Sequence, residues 1–144
     1  MNRRLILKYS AVLFWLIVIF MFSNQPATSS SAMSSPFVDV LKPYLPNFSV
    51  AFLTFAVRKS AHIVAYSVLG ALVYNVAVEY RLRYRYKIGY SLLFVGMYAC
   101  LDEVHQLFRA GRSGEPRDVL IDVLAGLVGI LLYRHIVDKA PSQS

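Results

Sequence analysis

Disulfide chemistry has no place in this chain. Of its 144 residues one is cysteine, Cys100, so no internal bridge can form and the fold owes nothing to an oxidising compartment. Acids are scarce as well, eight against fifteen lysines and arginines, and charged residues of both signs make up only 16% of the sequence. There is no glycine-rich phosphate loop, dinucleotide fingerprint or Cys/His zinc spacing, so the commonest signatures of nucleotide hydrolases, dehydrogenases and zinc modules are missing. No internal repeat is visible.

What fills the chain is apolar. Hydrophobic residues make up 57% of it and the mean hydropathy is +0.51, above the usual apolar share of a soluble domain. A helix needs about 20 mainly apolar residues to span the hydrocarbon of a bilayer. Four stretches approach this: 5–22, 61–80, 88–107 and 119–137. The expectation is an all-α, integral membrane bundle of four transmembrane helices forming a single domain over 1–144. A short interfacial helix from Phe48 to Val57 is expected before the second span. The Ser- and Pro-rich stretch from Ser23 to Asn47 reads as a loop broken only by Phe37 to Leu41. The first span, preceded by Asn2-Arg3-Arg4 and followed by small residues, also has the outline of a signal peptide; Leu5, Ile6 and Leu7 lengthen the apolar run and favour retention as an anchor.

The +7 formal charge is unevenly spread. Arg3, Arg4 and Lys8 precede the first span; Arg81, Arg83, Arg85 and Lys87 join the second and third; Arg134 and Lys139 follow the fourth. By the positive-inside rule these face the cytoplasm, with both termini. The other side then carries equal numbers of bases (Lys42, Arg58, Lys59, Arg109, Arg112, Arg117) and acids (Asp39, Asp102, Glu103, Glu115, Asp118, Asp122). The alternating "EYRLRYRYK" reads as an interfacial loop, with tyrosines at headgroup depth and bases on anionic lipid, and not as a nucleic-acid patch.

Polar residues collect at the outer end. "CLDEVHQLF" closes the third apolar stretch with two acids, a histidine and a glutamine, although a carboxylate facing lipid costs roughly 2.5 to 3.5 kcal/mol at a helix centre and less toward its ends. Arg58, His62 and Tyr66 lie four apart and share a helical face, as do Asp102 with Gln106 and Asp118 with Asp122. Three helices can therefore point polar stripes into one space. Bases at a helix N-terminus and acids at a C-terminus run against the macrodipole by about 0.3 to 1 kcal/mol each, so stability alone does not select them.

Two readings follow. In one, Arg58 or Arg112 pairs with Asp102 or Glu103 and clips the helix ends together. In the other, Arg58, Arg112 and the N-terminus of the fourth span receive a phosphoryl group. His62, His105 and the carboxylates Asp102 and Glu103 then transfer protons or bind a metal, with Gln106 in the same catalytic group, and clustered acids suit Ca²⁺ or Mg²⁺ through oxygen ligands. His105 and Gln106 lie about 100° apart around the helix, so one of them faces inward. Ala125, Gly126 and Gly129 give the fourth span a small-residue face for close helix packing.

The order Arg58-Lys59-x-Ala-His62-x-x-x-Tyr66, then Asp102-Glu103-x-His-Gln106-x-Phe108, then Gly111-Arg112-x-Gly114-x-x-x-Asp118, resembles the VanZ-like family of small bacterial membrane proteins. "MFSNQP" after the first span is similar to that family too, and the likeness covers almost the whole chain. It implies a multi-pass protein of the bacterial cell membrane whose family namesake confers resistance to the glycopeptide teicoplanin. A looser similarity extends to proteins acting on lipid headgroups and lipid-linked cell-wall precursors. By residue, the resemblance points to Arg58, His62, Tyr66, Asp102, Glu103, Gln106, Arg112 and Asp118. The expected partners are membrane lipids or a lipid-linked cell-wall precursor, with no nucleic acid. The expected activity, if there is one, is a lipid headgroup phosphoesterase or transferase. The alternative is a non-catalytic membrane factor that alters antibiotic access or partners another envelope protein.

Overall fold

The computed structural model describes residues 3–112 and 114–139. Asn2, used in the signal-peptide reading above, and the side chain of Lys139, used in the charge reading, lie outside the described residues. The described chain is all helical: α1 (Arg3–Ser23), α2 (Ala27–Leu41), α3 (Val50–Ala77), α4 (Tyr84–Gln106) and α5 (Pro116–Lys139).

Three of these, α1, α3 and α5, are long and apolar enough to cross a membrane. The expected third span, 88–107, does not meet the same measure of length and apolarity, so the candidate spans are three and not four. Its charge-free part, Ile88 to Leu101, would extend only about 21 Å at 1.5 Å per residue against a hydrocarbon thickness of about 30 Å. Asp102, Glu103, His105 and Gln106 then end the apolar run inside the same helix. α4 still shows lipid-compatible side chains outward, with Leu93, Met97, Leu101 and Val104 exposed along one stripe. The chain is thus a multi-pass membrane protein built on three apolar helices, with α4 packed among them.

The α3–α5 contact is the tightest. A Cβ on Gly129 would stand 1.8 Å from the carbonyl oxygen of Ser67, and one on Gly70 2.2 Å from that of Gly126. The small residues expected to allow close packing therefore do so, and Ser67 Oγ adds a hydrogen bond to the Ala125 carbonyl at 2.9 Å. Without a hydrophobic force between helices in lipid, such close approach and its dispersion energy hold the pair together. α1 lies across α3 and α4: Trp15 Nε1 donates to Ala65 O at 2.8 Å and Tyr98 Oη to Leu16 O at 2.6 Å. The core between them holds Val12, Ile19, Tyr66, Leu69 and Val95.

Two further expectations are corrected. Phe48 to Val57 is no separate surface helix, because α3 runs without a break from Val50, capped by Ser49 Oγ accepting from Phe52 N at 3.2 Å. The supposed loop before it contains α2, helical despite Pro36. Proline at that position denies the Ala32 carbonyl its intrahelical donor, and Ser35 Oγ replaces it with a 2.9 Å bond to Ala32 O. Composition argued for a loop; burial of Ser34 and Val38 against the bundle outweighs it.

A buried polar cluster at one end of the bundle

The C-terminal ends of α1 and α4 and the N-terminal parts of α3 and α5 converge at one end. There Asp102, Glu103, Gln106 and Asp122 are buried, Asp122 to 2% exposure. Unpaired acids at such depth are strongly destabilising, so their partners are the first question.

Asp102 answers it fully. Its Oδ2 accepts from Ser23 Oγ of α1 at 2.9 Å, Tyr66 Oη of α3 at 3.2 Å and Gln106 Nε2 of its own helix at 3.2 Å. One carboxylate thereby ties three helices. Glu103 Oε2 accepts the backbone N–H of Glu115, just before α5, at 2.9 Å, and its Oε1 stands 3.4 Å from Gln106 Nε2. Gln106 passes the network on, its Oε1 accepting from Arg112 Nη1 at 3.2 Å.

The loop that carries Arg112 is set by Gly111, whose φ of +72° is a left-handed conformation that side chains disfavour. That turn brings Arg112 Nε within 3.3 Å of the Gln25 carbonyl, next to a 3.1 Å hydrogen bond from Ala27 N to Ala110 O. The corner after α1 is therefore part of the cluster.

A second arm joins α3 to α5. Lys59 pairs with Asp118, and His62 Nδ1 lies 3.8 Å from Asp122 Oδ2. The latter distance is too long for a hydrogen bond and is an ion pair only when the imidazole carries a proton. Asp118 Oδ1 and Asp122 Oδ2 are both buried without a hydrogen-bond partner. The His62 ring lies nearly parallel to that of Tyr66, at 18° with centroids 6.3 Å apart, so Tyr66 stands between the two arms.

The structure brings the sequence-selected residues together at one end: His62, Tyr66, Asp102, Glu103, Gln106, Arg112 and Asp118 are linked by these contacts. Arg58 stands at the margin, half-buried. Among the described residues no hydrogen bond or ion pair engages it, and neither Arg58 nor Arg112 forms a salt bridge to Asp102 or Glu103. The two guanidiniums do sense one another. Burial pulls the Arg112 guanidinium below its ordinary range and the charge of Arg58 pulls it further, while Asp102 and Glu103 oppose the shift. Of the adjacent pair, Gln106 faces inward and His105 turns to α1, its Nε2 3.0 Å from Asn24 Oδ1 and its ring 4.8 Å from that of Phe20. Among the described residues no group of three or more His, Cys, Asp or Glu side chains converges in a metal-ligating arrangement.

Sequence reasoning assigned no role to Ser23, Asn24 and Gln25, although "MFSNQP" had been marked as a motif. Polar residues closing an apolar run were the available signal. Lys59 and Asp122 were noted for position, but their partners depend on the α3–α5 register, which no spacing within one helix reveals.

These features define an all-helical, multi-pass membrane protein with an acid-base cluster buried at one end of its bundle. More particularly, the chain belongs to the VanZ/LLP1 family, whose model matches residues 9–137 and so includes every residue of the cluster. No curated protein and no solved structure matches it.

Proposed function

We propose that the cluster binds a phosphate-bearing lipid or lipid-linked cell-wall precursor at the extracytoplasmic face of the bacterial membrane and performs headgroup chemistry on it. One observation carries this reading: Asp102, Glu103 and Asp118 are engaged by groups other than the two arginines, while Arg112 is held by neutral oxygens and Arg58 by none among the described residues. Two guanidiniums within electrostatic reach of one another, neither in a salt bridge among the described residues, favour an anion, and the N-terminus of α5 adds its dipole.

In this reading Arg58 and Arg112 take the phosphoryl oxygens. His62 is the base, with Nδ1 turned to Asp122 and the opposite nitrogen, Nε2, left for the substrate. It removes the proton of an attacking hydroxyl as the new O–P bond forms, and returns that proton to the leaving oxygen as the old O–P bond breaks. Asp102, Glu103 and Gln106 hold the walls in place, and Tyr66 and Asp118 fix the helix register. Loss of a lipid-linked precursor, or alteration of its headgroup, links this chemistry to the glycopeptide resistance associated with the family namesake.

Incubation of the purified protein with a panel of envelope lipids, followed by mass spectrometry, tests the proposal. One phosphate-bearing lipid should be retained or converted, and Arg112→Gln should remove that effect. Retention that is equal for all lipids and indifferent to Arg112→Gln sinks it.

A specific observation also favours a non-catalytic factor, since Asp102 joins three helices as a structural tie would. The two readings part at His62. A tie network does not need its Nε2, whereas headgroup transfer does.

A further inference from the structure

At the opposite end of the bundle a groove runs between α1, α3 and α4, with a volume of about 690 Å³, within the roughly 300–1,000 Å³ typical of ligand sites. Its floor is Val12 and Val76, its walls include Leu13 and Phe94, and the Tyr9 and Tyr80 hydroxyls meet at its mouth. Along α1 it reaches from Ile6 to Leu16, about 15 Å at 1.5 Å per residue. That equals one leaflet of a hydrocarbon core about 30 Å thick.

Leu82 borders this groove and also a second, polar cavity of about 280 Å³ between α3, α4 and α5, lined by Tyr84, Lys87 and Arg134. Lys87 Nζ donates to the Val78 carbonyl at 3.2 Å, which leaves further ammonium donors for an anion. Arg81 and Arg83, on either side of Leu82 in the α3–α4 loop, are exposed and form no ion pair among the described residues. An apolar groove one leaflet long and a basic chamber bordered by the same Leu82 have the dimensions and charge of a two-part amphiphile.

The geometry points to a binding site for one anionic phospholipid of the bilayer, its acyl chain in the α1–α3–α4 groove and its phosphate against Lys87 and Arg134. This site is separate from the buried polar cluster and does not rest on the function proposed for it. It anchors the N-terminal half of α1, below the Tyr98–Leu16 and Ser23–Asp102 bonds that tie α1 to α4, and makes the fold responsive to the anionic lipid content of that leaflet.

The test is native mass spectrometry of the full chain in detergent with equimolar palmitoyl-oleoyl phosphatidylglycerol and the phosphatidylcholine of identical chains. The wild type should retain one phosphatidylglycerol with a preference of about tenfold or more, as two basic contacts provide. Lys87→Gln combined with Arg134→Gln should erase the preference while phosphatidylcholine still binds. Ser10→Phe, which fills the groove from an exposed position, should reduce both lipids. Lys42→Gln, in the α2–α3 loop away from both sites, should change neither. Equal retention of the two lipids by the wild type overturns the site, as does a preference that survives the double variant or disappears with Lys42→Gln. A stable dimer that binds no lipid would give the groove to a second copy. If the double variant does not fold, raising salt from about 0.05 to 0.5 M over the wild type replaces it. Preference should fall steeply, and an unchanged ratio counts against the proposal.

Discussion

Tyr66 of α3 and Asp102 of α4 are both buried, and the tyrosine hydroxyl donates to the carboxylate at 3.2 Å in a position shared with Ser23 and Gln106. Three donors from three segments converge on one oxygen. Tyr66→Phe removes one of them and should cost about 1–3 kcal/mol, with Asp102 partly compensated by the other two. Asp102→Ala strands all three donors and should be worse, at about 3–5 kcal/mol. Thermal unfolding in detergent ranks the two variants. A less stable Tyr66→Phe than Asp102→Ala would remove Asp102 from the centre of the network.

The His62–Asp122 contact bears on chemistry more than on folding. His62→Gln and Asp122→Asn keep approximate shape, and each should reduce headgroup conversion, and any glycopeptide protection that depends on it, by about 10² to 10⁴. Membrane abundance should stay near wild type, as read by immunoblot of membrane fractions. Full protection from both well-expressed variants speaks for the non-catalytic reading.

Close packing of α3 on α5 makes a sharp steric prediction. Gly129→Ala places a methyl group 1.8 Å from the Ser67 carbonyl oxygen, a backbone atom that cannot move without the helix. A loss of about 3 kcal/mol or more, or no folded protein at all, should result. Gly89→Ala is the control, since nothing lies within 4 Å of the added carbon, and helix propensity gives it about 1 kcal/mol in its favour. Size-exclusion profiles of the two variants distinguish them directly.

At the basic end, Glu79 provides a pH test. Its carboxyl is held below the usual carboxylate range, chiefly by the 2.5 Å hydrogen bond from Lys8 Nζ; burial opposes this as the next largest influence, and the charges of Lys8, Arg4 and Lys87 add to the lowering. A group whose pKa is lowered on folding contributes stability that is complete above its unfolded value, about 4.3, and that disappears as pH falls through the folded value. The melting temperature should therefore drop on acidification below about pH 4.3 in a component that Lys8→Met removes. An identical acid profile in Lys8→Met would show that this pair does not couple folding to protons.

Much of the molecule was legible without coordinates because bilayer insertion is governed by the length and continuity of apolar runs. α1, α3 and α5 follow from that rule, and the gathering of Arg58, His62, Asp102 and Arg112 at one end follows from where each run stops. α4 was misjudged by the same rule: its run is apolar but short, and burial among neighbouring helices makes up for what composition lacks. α2 was missed because serine and proline favour loops locally. The repair of Ala32 by Ser35 and the seating of Val38 are contacts that a propensity scale does not contain.

Sequence by itself determined the helical class, the membrane setting and which side chains stand at which end, since hydropathy and helical periodicity are properties of one segment at a time. Only the tertiary structure decided that Asp102 collects Ser23, Tyr66 and Gln106, that Lys59 takes Asp118, and that His62 faces Asp122 while Arg58 and Arg112 take no acid. Those choices depend on the rotation and height of each helix against its neighbours. That register is set by Gly70, Gly126 and Gly129 letting two backbones touch, and it cannot be read from either helix alone.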